Sequence, residues 1–300
     1  MKDVGNSIDL YVTRAGSGER DVNEERSRRR AAVTRRDLIV GAAATGVAAC
    51  APRVGSANDQ INNSKDKAKM TKPTIVLVHG YWGAPANWGP VIVQLTKMGY
   101  DSVRAVDNPC SSLADDVERT RKMIAQQKGP VVLVGHSAGG VVITEVGNQP
   151  NVGALVYAAA FAPDAGESIL DMSKDYKAPA GAVLTPDSDG YLWIPQNKFH
   201  EVFCQDLTSE EALVMAVTQK APVASAAASK VTAPAWKTKP SWYQISSDDR
   251  MIIPENQKRM AARMGARKSI TLSASHASIV SKPLEVASLI DEAARATSTT

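Results

Sequence analysis

Five consecutive residues carry the clearest chemistry in this chain: Gly135-His136-Ser137-Ala138-Gly139. The spacing G-x-S-x-G suits a turn so sharp that small residues must flank the serine, whose hydroxyl is then presented at a helix N-terminus. The flanks agree. Val131–Val134 reads as a short buried strand directly before the turn, and Val141-Val142-Ile143 as the first turns of a helix directly after it. A serine hydroxyl becomes a useful nucleophile only when a base takes its proton. The chain holds four histidines, so the base can be sought by elimination. His136 is bound into the turn and points away from the neighbouring hydroxyl. His79 belongs to the His79-Gly80 pair that closes an apolar run, and shapes that loop. His200 lies in Phe199-His200-Glu201, within the stretch expected to form a cap. His276, in Ser273-Ala274-Ser275-His276-Ala277, follows the last strand-like run and is the expected base.

The remaining parts follow from the same chemistry. A carboxylate must orient the imidazole and stabilise it when charged. Asp248 and Asp249, after the run Trp242–Ile245, both qualify. The oxyanion of acyl transfer needs two backbone N–H donors. Ala138, directly after the serine, is one, and the loop His79-Gly80-Tyr81-Trp82-Gly83 supplies the other at Tyr81. That loop lacks the G-x-G-x-x-G pattern and the lysine of a phosphate cradle.

These groups must be carried by a scaffold, and the chain outlines one. Six short apolar runs read as strands: Thr74–Val78, Ser102–Val106, Val131–Val134, Val152–Ala159, Trp242–Ile245 and Ser269–Leu272. They show little alternation, as strands buried on both faces do. Amphipathic segments separate them, at Trp88–Met98, Leu113–Gln127, around Met260–Met264 after Pro254, and Leu284–Ala294. Ser112 with Asp115 opens the second of these in a capping-box pattern. Strands alternating with helices mean right-handed crossovers and a parallel α/β sheet. Such sheets bind ligands at the carboxyl ends of their strands, where Ser137, His276 and both aspartates fall. The alternation breaks over roughly eighty residues between the fourth and fifth strands. A structureless loop of that length is implausible, so a folded cap over about 166–240 is expected. Within it Tyr191–Ile194 reads as part of a hairpin and Ser209–Val223 as a helix.

With these pieces in place, residues 73–296 resemble an α/β-hydrolase. The resemblance is to small serine esterases of the plant methylesterase and hydroxynitrile lyase-like branch. The motifs that carry it are Ile75-Val76-Leu77-Val78-His79-Gly80 with Trp88 downstream, Val134-Gly135-His136-Ser137-Ala138-Gly139 and Phe161-Ala162-Pro163. Asp249 to Gln257 with Pro254 between, followed by His276, completes the set. The resemblance implies a mostly parallel sheet of about six strands flanked by helices, with a cap after the fourth strand. In such relatives the catalytic Asp lies about five residues before that Pro and eight before that Gln, which selects Asp249. Hydroxynitrile lyases of this branch carry Lys directly after the catalytic His; Ala277 stands there and argues against cyanohydrin cleavage. Dehalogenases and epoxide hydrolases of the fold use Asp where this chain has Ser137.

Composition sets the outer limits. Of 300 residues, 44% are hydrophobic and 22% charged, the balance of a globular chain. The net charge of +4 is too mild to argue for nucleic acid. Cys50, Cys110 and Cys204 are the only cysteines, with neither zinc-ligand spacing nor a disulfide framework.

Residues 1–50 read as an export signal. Residues 1–36 hold nine Lys or Arg against six Asp or Glu, and Arg35-Arg36 precedes an apolar stretch, Leu38–Ala49, too short to span a membrane. The paired arginines resemble a twin-arginine signal. Val47-Ala48-Ala49-Cys50 resembles a lipobox, with lipidation at Cys50; simple cleavage near Ala49-Cys50-Ala51 is the alternative. Residues 51–72 are a polar tether and 297–300 a tail. The chain is thus expected to be exported, periplasmic or at the cell surface, touching membrane only through that anchor. A true start at Met70 would instead make it cytoplasmic.

The expected function is hydrolysis of small or medium carboxylic esters through Ser137, His276 and Asp249, with Tyr81 and Ala138 holding the oxyanion and no metal or cofactor required. Trp82, Trp193, Phe199 and Phe203 are candidate pocket walls. A cofactor-free haloperoxidase or acyltransferase would use the same three residues. A non-catalytic ligand-binding protein on this fold would keep only the pocket.

Overall fold

The computed structural model describes residues 72–297. The export signal, the lipobox at Cys50 and all but the end of the tether lie outside the described residues. Six strands form one parallel sheet: β1 (Thr74–Val78), β2 (Val103–Val106), β3 (Val131–His136), β4 (Val152–Ala158), β7 (Ser241–Ser246) and β8 (Lys268–Leu272), in the order β2-β1-β3-β4-β7-β8. The missing numbers, β5 (Thr185–Pro186) and β6 (Leu192–Trp193), form a separate antiparallel pair.

The apolar runs of β1, β3 and β4 lack alternation because both faces of the sheet are covered. On one face Ile75, Leu77, Val132, Val134 and Val156 pack under α1 (Gly89–Lys97) and α9 (Pro283–Thr297). On the other, Val76, Val78, Leu133, Leu155 and Tyr157 pack under α2 (Leu113–Ala125), α3 (Gly139–Val146) and α7 (Pro254–Arg263). Strands β2 and β8, at the sheet edges, are the two with exposed positions. Ser112 caps α2 by accepting from Asp115 N–H, and Pro254 opens α7 where its missing N–H costs nothing. A short helix, α8 (Ser278–Ser281), precedes α9, which runs through Thr297, the last described residue.

The chain reverses its direction of travel across the sheet between β1 and β3. In open parallel sheets that switch point leaves a crevice at the carboxyl ends of the strands. The loop after β1 and the Ser137 turn after β3 flank it.

Between β4 and β7 lies the cap. It contains α4 (Ile169–Ser173), the β5–β6 hairpin, α5 (Gln196–Phe203) and α6 (Ser209–Val217), with short 3-10 turns at Pro179–Ala182, Ala224–Ala228 and Ala235–Lys237. Its own apolar cluster joins Leu192, Ile194, Phe199, Phe203 and Met215 to Tyr81, Ala138 and Ala277 beneath. The helix expected over Ser209–Val223 stops at Val217. Pro222 drives Ala221 to extended backbone, which forbids a helix through Val223, and the helix ends four residues before Ala221. The freed segment ties neighbours together instead: Trp82 N–H donates to Lys220 O, Leu192 N–H to Pro222 O, and Val223 N–H to Cys110 O.

Candidate active site

The turn after β3 is held open by its backbone. Ser137 has φ of 54°, the left-handed region that side chains adopt at a cost. The strain is held by hydrogen bonds on both sides, from Ser137 N–H to Ala158 O at 3.3 Å and from Phe161 N–H to Ser137 O at 3.1 Å. Gly139 allows the close approach of α3 to the sheet, since a Cβ there would collide with the carbonyl oxygen of Val78.

A second glycine keeps the space in front of the serine clear. A Cβ on Gly80 would lie 2.6 Å from Ser137 Cβ, 2.7 Å from His136 O and 2.8 Å from Ala138 N. The last two are backbone atoms that cannot swing aside. Neither Ala138 N–H nor Tyr81 N–H has an acceptor among the described residues, leaving both donors unspent. Gly80→Ala is therefore expected to cost about 1–3 kcal/mol of overpacking. That lowers the melting temperature by about 2–4 °C for each kcal/mol, with ester turnover cut at least tenfold; a thermal melt and an ester assay check both.

His276, after β8, is completely buried. Its Nδ1 lies 2.7 Å from Asp249 Oδ2. Asp249, after β7, is 4% exposed and is fastened by three further donors. Met251 N–H and Ile252 N–H reach Oδ1 at 2.7 and 2.9 Å, and Gln257 Nε2 reaches Oδ2 at 2.8 Å. With both oxygens spoken for as acceptors, the shared proton sits on His276 Nδ1 and leaves Nε2 as an acceptor. That Nε2 is buried and has no hydrogen-bond partner among the described residues. Contacts of this kind commonly tighten only when substrate binds.

The other carboxylate behaves differently. Asp248 is exposed, and its Oδ2 accepts from the hydroxyls of Ser247 and Ser273. The structure thus brings Asp249, and not Asp248, to His276.

The other three histidines are committed elsewhere. His79 Nδ1 donates to Gly80 O and Nε2 accepts from Asn108 N–H; burial drops it to about 4, so it stays neutral. His200 Nε2 meets Leu207 O in the cap. His136 is held neutral by burial and, secondarily, by the neighbouring His276. Its Nε2–H donates to the carbonyl of His276 at 2.8 Å, with the two rings 4.7 Å apart. The residue before the candidate nucleophile thus anchors the backbone of the candidate base. Nothing in the motif announces that contact, because it joins residues 140 positions apart. Gln257 is similar: in sequence it is a spacing marker, whereas in the fold it donates to Asp249 and accepts Ser246 N–H.

Three of the four expected pocket walls gather under the cap. Phe203 meets the His276 ring edge-on at 4.9 Å, Phe199 stacks on Phe203 at 4.8 Å, and Trp82 is buried with its indole N–H donating to Leu192 O. Trp193 does not join them. It is 39% exposed and donates to Asp187 Oδ2 on the hairpin surface. The reason is strand alternation: Leu192 and Ile194 face inward, so Trp193 faces out. Cys110 and Cys204 are separate buried thiols in the same apolar cluster. Burial pushes each up to about 12, far from the thiolate that reacts.

The site is closed, with Ser137 4% exposed and His276 fully covered. Two surface cavities, about 680 and 590 Å³, lie elsewhere. One is beside Lys72, Tyr100 and Asp291 at the amino end of the sheet, the other beside Asn197, His200 and Leu213 on the cap.

A parallel sheet with a strained serine turn after its third strand, a buried His–Asp pair after its last two and a cap between defines a hydrolase architecture. The alpha/beta hydrolase family model matches residues 75–289, and the chain belongs to that family. An alpha/beta hydrolase of Aspergillus novofumigatus, nvfD, is 30% identical over 254 residues, covering 75% of this chain and 98% of the relative. A probable hydrolase of a Phoma species, R7, is 26% identical over 203 residues, covering 63% of this chain and 82% of that one. The crystal structure of polyneuridine aldehyde esterase superposes with a TM-score of 0.65 at 19% identity, covering 74% of this chain and 98% of that one. The resemblance to plant esterases of this fold thus extends to the architecture.

Proposed function

We propose that this hydrolase is a serine carboxylesterase acting on small or medium esters with an apolar part. The observation that carries the reading is the buried Asp249–His276 pair, with Nε2 of His276 left open and the His276 carbonyl held by the imidazole of His136, the residue before the strained Ser137.

The steps follow from the atoms. Ser137 Oγ adds to the acyl carbon as its proton passes to His276 Nε2. Asp249 steadies the resulting imidazolium. The carbonyl oxygen becomes an oxyanion held by Tyr81 and Ala138 N–H groups. As the tetrahedral centre collapses, the C–O bond to the alcohol breaks and the imidazolium protonates the departing oxygen. Water then adds to the acyl-serine, giving its proton to His276; collapse returns the proton to Ser137 Oγ and releases the acid. The apolar lining of Trp82, Leu192, Phe199 and Phe203 supports an apolar substrate portion, and its low polarity strengthens the electrostatics of the site.

The test combines hydrolysis of p-nitrophenyl esters of increasing chain length with a fluorophosphonate probe. The expected result is turnover that peaks at short or medium acyl chains, with the probe bound covalently at Ser137. A folded protein that neither hydrolyses any ester nor takes the label overturns the reading and leaves ligand binding without turnover.

A further inference from the structure

The closed site raises the question of how substrate reaches Ser137 without dismantling the residues around it. Phe203 ends α5 and lies edge-on to His276, so the end of α5 covers the ring that faces substrate. The residues directly after Phe203 do more than cover the site. Gln205 Nε2 donates to Asp248 O at 2.6 Å. Ser275 N–H donates to Asp206 Oδ2 at 3.0 Å. Arg250 Nη1 donates to Glu201 O at 2.8 Å. One short stretch of the cap therefore grips both catalytic loops, each time at the residue next to Asp249 or His276.

We propose that Gln205 and Asp206 are positioning residues that make assembly of the base depend on closure of the cap. The proposal rests on the Ser137-His276-Asp249 reading above. Ser275 and His276 share a peptide unit's freedom, so losing the Asp206 contact lets the imidazole drift relative to Ser137. Misplacement of about 1 Å can cost on the order of a hundredfold in rate. His136 holds the carbonyl side of His276 from the sheet, while Asp206 holds the amide side of Ser275 from the cap. When the cap opens for substrate or product, the second grip is released and the base is slack. When it closes, the base is aimed. The coupling would keep the site unreactive while it is open to bulk water.

Asp206 lies at the surface beside the hydroxyls of Ser275 and Ser281 and outside the apolar clusters, so its substitution opens no cavity in the core. Asp206→Ala, Asp206→Asn and a control on the same cap, Glu210→Ala, are compared on one p-nitrophenyl ester, with active sites counted by fluorophosphonate titration and stability by thermal melts. Asp206→Ala is expected to lower kcat per titrated site roughly tenfold, with KM changed less than about twofold and the melting temperature lowered by only a few degrees, the cost of the unpaired Ser275 N–H. Asp206→Asn keeps an oxygen that can accept from Ser275 N–H and recovers most of the loss. Glu210→Ala behaves as the parent. Wild-type kcat per titrated site in Asp206→Ala overturns the proposal. So does a loss seen only as fewer titrated sites or a lower melting temperature, or one confined to KM. An Asp206→Asn variant as impaired as Asp206→Ala also overturns it, since the hydrogen bond would then not be the cause. If Ser137 in the parent protein takes no label, the esterase reading falls and this proposal falls with it.

Discussion

Ser137→Ala is expected to abolish ester turnover while leaving the fold intact. The loss should be on the order of 10⁴–10⁶ in kcat, the range found when a nucleophile is removed from a serine hydrolase. The fold should be indifferent because the Ser137 backbone, not its hydroxyl, makes the hydrogen bonds that hold the turn. Alanine meets the same left-handed φ of 54° as serine does, so the stability change should stay within about 0.5 kcal/mol. Steady-state kinetics on a p-nitrophenyl ester beside a thermal melt decides the matter. A well-folded variant with more than about a tenth of the parent activity would remove Ser137 from the role of nucleophile.

The second large effect is expected at Asp249→Asn, with a loss of roughly 10⁴ in kcat, as a wrong imidazole tautomer costs in serine proteases. The geometry dictates which way the amide turns. Oδ1 of Asp249 accepts two backbone N–H groups, from Met251 and Ile252, so the amide oxygen must stay there. The NH₂ group then faces His276 Nδ1 and Gln257 Nε2. Nδ1 is forced to accept, the ring proton moves to Nε2, and His276 can no longer take a proton from Ser137. Asp248→Asn, by contrast, alters an exposed carboxylate bonded to two serine hydroxyls and should change kcat less than about threefold, since surface substitutions of this kind are energetically small. A reversed ranking of the two variants would reassign the acid to Asp248.

The contrast between these two neighbours shows where reading a sequence stops. Asp248 and Asp249 are chemically identical and adjacent in one loop, so no local property separates them. The choice of Asp249 came from its distance to Pro254 and Gln257 in similar proteins. The structure supplies the cause behind that spacing: Pro254 opens α7, and Gln257, one turn in, turns back to hold Asp249 Oδ2. Trp193 is a different case, because its outward direction was already implicit in the alternation of Tyr191 to Ile194, which a hairpin strand must obey. Pro222 likewise signals that α6 cannot reach Val223, though not that it ends at Val217. What replaced the helix was not signalled, because Lys220, Pro222 and Val223 find their partners at Trp82, Leu192 and Cys110.

By itself the sequence outlined a parallel α/β sheet with a sharp serine turn, because strands buried on both faces demand unbroken apolar runs, and the resemblance of its motifs turned that outline into an α/β-hydrolase. It also determined that Ser137 and His276 sit at the same end of the sheet, since that follows from strand order alone. Only the tertiary structure decided which carboxylate meets the imidazole, that His136 and Asp206 grip the two sides of the His276 loop, and that Phe203 seals the site while Trp193 faces water. Those are contacts between residues tens to more than a hundred positions apart. They depend on how the cap settles on the sheet, through side-chain directions and hydrogen bonds that leave no periodic trace along the chain.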